Sequence, residues 1–146
     1  MYSQNMQVAC VAIIGPDGNP LLIEKKCEEK QEHEIDSLLF CSLDFFDQPT
    51  QRKIPKLSDR YLGNIQTSER FQIWGYKAGL GYKIIVLTFH VVNLQDNFMK
   101  SVCEKIKDVL FDAILDPFYT PFSMIESPSA LSRINEIAAT VQAPQQ

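Results

Sequence analysis

Two histidines, four cysteines and a few closely spaced carboxylates are the groups in this chain with the chemistry to move protons, attack a carbonyl or hold a metal. His33-Glu34 opens like a helical zinc-protease motif. That motif needs a second histidine four residues on, and the chain has Ser37 there. His33 falls in a polar first helical turn and reads as a solvated surface residue. His90 follows an apolar strand and reads as a strand-end residue with a local hydrogen bond. Neither shows the partner that a base or ligand requires. Cys27 lies beside Glu28 and Glu29, whose charges disfavour its thiolate. Cys10, Cys41 and Cys103 lie inside apolar segments, where a thiol behaves as a small hydrophobe. With no C-x-x-C pair, all four read as reduced thiols in a cytosolic protein. Gly15, Gly18, Gly79 and Gly81 match no phosphate-binding pattern and read as turn residues. Asp44 and Asp47 are three apart on one predicted helix; a solvated helix end explains them as well as a carboxylate pair does. The residues thus point to no catalytic group, no metal and no cofactor. They favour a binding module. The alternative is a small-molecule-binding or enzymatic domain of similar topology. A deep polar pocket would favour the alternative, and a shallow apolar or charged patch the module.

The elements that would position these groups follow from periodicity. Val8–Ile14 is an unbroken apolar run rich in β-branched residues. The turn formers 15–20 and Leu21–Ile23 come next, giving a hairpin. From about Gln31 to Asp47, Ile35, Leu38, Leu39, Ser42, Phe45 and Phe46 recur at helical steps. Pro49 closes that helix. Three strands follow, over Tyr61–Gln66, Arg70–Tyr76 and Tyr82–Phe89. In the middle one Phe71 and Ile73 alternate with Gln72 and Trp74; the last is apolar throughout. A second helix, capped by Asn93 or Asp96, buries Phe98, Val102, Ile106, Val109, Leu110, Ala113 and Ile114. Ser127 as N-cap and Pro128 at the first turn start a third, with Leu131, Ile134, Ile137, Ala138 and Val141 on its apolar face.

Strands that are apolar on both faces belong in the middle of a sheet. The order β-β-α-β-β-β-α-α therefore predicts an α/β (α+β) fold: a five-stranded antiparallel sheet of order 2-1-5-4-3, one helix on one face and two on the other. The 146 residues are expected to form one domain, 1–146, with 142–146 a frayed tail. At 45% apolar and 22% charged the composition is globular, and it supports a core without disulfides. A net charge of -4 without a basic run disfavours nucleic acid and anionic membrane. Met1–Gln7 carries no Lys or Arg, so no signal peptide is expected. A spanning helix needs ~20 apolar residues, so no transmembrane segment is expected either.

Four stretches carry a resemblance. They are Ser42-Leu-Asp-Phe-Phe-Asp47, Tyr61-Leu-Gly63, Phe71-Gln-Ile-Trp-Gly-Tyr76 and Asp116-Pro-Phe-Tyr-Thr-Pro121. With the Val8–Ile23 hairpin they resemble the sedlin family of small TRAPP subunits, over Val8 to Val141. The chain departs from the family in carrying Asp116 where Asn is more familiar, and its third helix matches loosely. The resemblance implies a longin-like fold and a non-enzymatic adaptor that helps assemble TRAPP complexes. These tether vesicles in endoplasmic reticulum-to-Golgi and Golgi traffic. The implied partners are other TRAPP subunits, with an indirect link to Rab-type GTPases. The implied location is cytoplasmic and peripheral at endoplasmic reticulum and Golgi membranes. The resemblance makes Asp44, Asp47, Phe118 and Tyr119 the candidate partner-binding residues. A vesicle-SNARE longin domain is disfavoured, since no heptad helix or membrane anchor follows.

Overall fold

In a computed structural model, every residue of the first strand, β1 (Val8–Ile14), is buried, as its unbroken apolar run requires. The structure describes residues 8–25, 29–47, 61–68, 70–89, 96–121 and 123–141. The remaining elements are β2 (Pro20–Lys25), α1 (Glu32–Asp47), β3 (Tyr61–Thr67), β4 (Phe71–Gly79), β5 (Tyr82–Phe89), α2 (Asp96–Ile114) and α3 (Pro128–Ala139). A short 3-10 turn, Glu29–Gln31, leads into α1. The expected cap Asn93, the tail 142–146 and His90 lie outside the described residues.

The strands form one antiparallel sheet of order β2-β1-β5-β4-β3, the predicted order. α1 covers one face. Ile35, Leu38 and Leu39 pack there on Ala12, Leu62, Ile73 and Leu87. α2 and α3 cover the other, packing on Val11, Trp74, Ile84 and Val86. α2 lies over β3, β4 and β5, and α3 over β1. The β4–β5 hairpin turns at Leu80 and Gly81, both at positive φ. A Cβ at Gly81 would lie 2.9 Å from the Pro16 Cβ, so glycine also lets the two hairpin tips approach.

Two expectations are corrected. β4 was expected to alternate as a half-polar strand, yet Phe71 and Ile73 are buried under α1 while Trp74, Tyr76 and Ala78 are buried under α2. The cause is the length of α2, which reaches across β4 to β3 and needs an apolar floor there. The Trp74 indole N–H donates to Thr88 Oγ1 at 3.0 Å, which makes a fully buried Trp–Thr pair acceptable. In α2, Phe98 was placed in the buried stripe. It is 39% exposed, and Met99 is fully buried in its stead. The buried set Met99, Val102, Cys103, Ile106, Val109 and Leu110 keeps strict three- and four-residue steps. Phe98 falls beside that stripe.

Candidate interaction surface

The outer face of α1 is built by the same periodicity that buries its inner one. Ser42 belongs to the inner stripe. Fully buried, its hydroxyl donates to the Leu38 carbonyl at 2.6 Å and meets Gln66 Oε1 at 3.3 Å. Residues 33, 36, 37, 40 and 44 share the opposite face at helical spacing. All five are exposed, and they include Asp36, Phe40 and Asp44. Phe40 is 78% exposed, one turn before Asp44. Asp36 pairs with Lys25 at 2.8 Å, and that hydrogen bond raises the Lys25 pKa. The first turn adds Glu32 and Glu34, and the last turn has no basic residue. Among its described side chains α1 thus presents an acidic surface with the bare aromatic ring of Phe40. Asp44 lies on it as expected; the Asp47 side chain is outside what the structure describes.

Phe118 and Tyr119 sit in the loop after α2, on the other side of the sheet, and they point differently. Phe118 is 94% exposed. Tyr119 is half-buried, and its hydroxyl donates to the Ser123 carbonyl at 2.5 Å. Burial raises its phenol pKa. Asp116 Oδ1 accepts the Phe118 N–H at 2.9 Å, an Asx turn that either Asp or Asn can make. The Ile125 N–H donates to the Leu21 carbonyl at 2.8 Å and pins the loop to edge strand β2. Ser127 caps α3 as predicted, its hydroxyl accepting the Ala130 N–H at 3.4 Å. Between the end of α2, this loop and the start of α3 lies a cleft of about 470 Å³.

Cys103 is fully buried and its thiol is pushed up to about 12, which keeps it protonated and inert. Among the described residues no group of three or more His, Cys, Asp or Glu is arranged to hold a metal ion. No described helix is long and apolar enough to cross a membrane.

Sequence reasoning missed Phe40. An aromatic beside Leu38 and Leu39 resembles core by type; only its angular position, with His33, Asp36 and Asp44, marks it as outward. It also missed the cleft, whose lining comes from separate segments.

The sedlin family model matches residues 13–140. Relatives named trafficking protein particle complex subunit 2-like protein are similar along most of the chain. That of Dictyostelium discoideum is 26% identical over 140 residues, covering 92% of this chain and 99% of the relative. Those of Bos taurus and Xenopus tropicalis are each 28% identical over 122 residues, covering 81% of this chain and 87% of theirs. With a family match over nearly all its elements and a sheet of the expected order, this chain belongs to the sedlin family.

Proposed function

We infer that this chain is a non-enzymatic adaptor subunit of a TRAPP vesicle-tethering complex, acting in endoplasmic reticulum-to-Golgi and Golgi traffic. The observation that carries the reading is its similarity over nearly its full length to relatives named as subunits of that complex. The geometry supports an adaptor, because its conspicuous features are exposed side chains and not an enclosed reactive site. Asp44, with Phe40 one turn away, is the principal partner contact. Asp47 extends it along the same helix end. Phe118 is a second contact, on the other side of the sheet. Tyr119 fixes the loop that carries Phe118 and is a contact beside it. The link to Rab-type GTPases runs through other subunits, and the protein is cytoplasmic and peripheral at the membranes it serves. Affinity purification of the tagged full-length chain from cell extract, with mass spectrometry, tests this. The expected result is a set of TRAPP subunits at comparable stoichiometry. Recovery of the chain alone, or with a metabolic enzyme, would contradict it.

A further inference from the structure

Among the described residues, half of the large apolar side chains standing in solvent come from one short stretch, 115–124. They are Leu115, Phe118 and Met124, at 78, 94 and 51% exposed. Phe118 and Met124 border the cleft described above. Its apolar base is formed by Val109, Ile125 and Ala130, which are buried but line the opening. Among the described residues its lining carries three carboxylates, Asp112, Asp116 and Glu126, against one cation, Arg133. Arg133 is bound to Asp112 at 2.7 Å, so that cation is already neutralised. Asp116 and Glu126 are what an incoming ligand meets. Both are exposed. Apolar anchors of this size, left in water beside an apolar base, mark a contact surface.

We propose that this cleft docks a short extended segment of a partner protein in which one bulky apolar side chain is flanked by lysine or arginine. The apolar side chain sits over Val109, Ile125 and Ala130, with Phe118 and Met124 closing against it. The flanking cations meet Asp116 and Glu126. Charge decides the class of occupant. Two unneutralised carboxylates repel a phosphate, an anionic headgroup or a nucleic acid, and the one guanidinium present is held by Asp112. Placement decides its size: Leu115 is exposed but is not part of the cleft lining, and Phe118 on the rim is 94% exposed, so the contact extends past what a small molecule covers. The proposal rests on the reading of Phe118 as a partner contact and names the chemistry of that partner. It does not involve α1.

The test is a random peptide display library panned on the full-length protein and, in parallel, on a Phe118→Ser/Asp116→Asn/Glu126→Gln variant. All three side chains are exposed, so the variant should keep the wild-type melting temperature. The expected result is enrichment, on wild type only, of peptides with an apolar residue between Lys or Arg. A synthetic peptide of that consensus should move amide NMR signals of residues 112–130, and the variant should bind it at least about tenfold more weakly. Enrichment of acidic or uncharged peptides, equal recovery on the variant, signal changes confined to α1, or no enrichment would each overturn the proposal. Such a failure, with TRAPP subunits still co-purifying, removes the docking cleft alone. If they fail to co-purify as well, the adaptor reading falls with it.

Discussion

Single side chains show how environment decides chemistry in this chain. Cys103 and Cys41 are both free thiols, yet one is buried and the other exposed. Burial lifts Cys103 from 9.0 to about 12. At about pH 8 an alkylating reagent should therefore modify Cys41 while Cys103 reacts only in denaturant. Peptide mapping by mass spectrometry reads this, and native labelling of Cys103 would contradict its placement. The sign of its linkage also follows. The folded thiol keeps its proton where the unfolded one loses it, so this contribution is intact below about pH 9 and is lost as pH rises toward 12. Thr88 offers a second test. Thr88→Val leaves the buried Trp74 indole N–H without its acceptor and should cost about 1–3 kcal/mol in denaturant unfolding. Thr88→Ser should cost less, because it keeps the oxygen. Nothing in a run such as Ile84–Phe89 singles out the threonine as an indole acceptor, since that pairing exists only once β4 and β5 align. The Ser127 cap was legible because capping is local: Ser, then Pro, then an apolar period.

At the scale of elements, helical period settles which face is buried, but not where the stripe ends. Ile106 lies mid-helix in α2 and is fully buried, as its spacing requires. Ile106→Ala should cost about 2–5 kcal/mol by chemical denaturation. A loss under about 1 kcal/mol, typical of surface positions, would remove α2 from the core. Phe98 is the contrast. It stands at the beginning of the stripe, where Met99 fills the buried position, so a large apolar residue ended beside the core. Its truncation should fall nearer that surface range. β4 was misjudged for a related reason. Alternation of Gln72 with Ile73 suggested a wet face, but whether a face is wet depends on what crosses it, and α2 does. β1 and β5 needed no such knowledge, because both faces are apolar in the strand itself. α1 lies between these cases: its stripe of Ile35, Leu38, Leu39 and Ser42 was legible, and the value of Phe40 on its back was not.

Across the whole molecule, the sheet separates two surfaces. α1 carries the acidic face with Phe40 and Asp44; the loop after α2 carries Phe118 and the cleft. The sheet order could be read in advance, since only two strands are apolar enough for the centre and the rest follow from short connections. Asp44 could be placed outward from period alone, and the family resemblance supplied its proposed role. The cleft could not be read, because Phe118, Tyr119 and the rest of its lining come from the end of α2, the following loop and the start of α3, which meet only when α3 packs beside α2. On the function proposed above, α1's outer face serves binding and not folding. Asp44 carries the most exact form of this reading. An exposed helix residue usually matters to folding within about 0.5 kcal/mol, whereas removing one partner of a buried interface ion pair costs about 2–5 kcal/mol of binding. Asp44→Ala and Asp44→Tyr should therefore melt within a few degrees of wild type. Both should lose co-purification with the other TRAPP subunits, Tyr more than Ala because it adds a clash. Unchanged co-purification of the two variants would contradict the account, and so would a large fall in melting temperature.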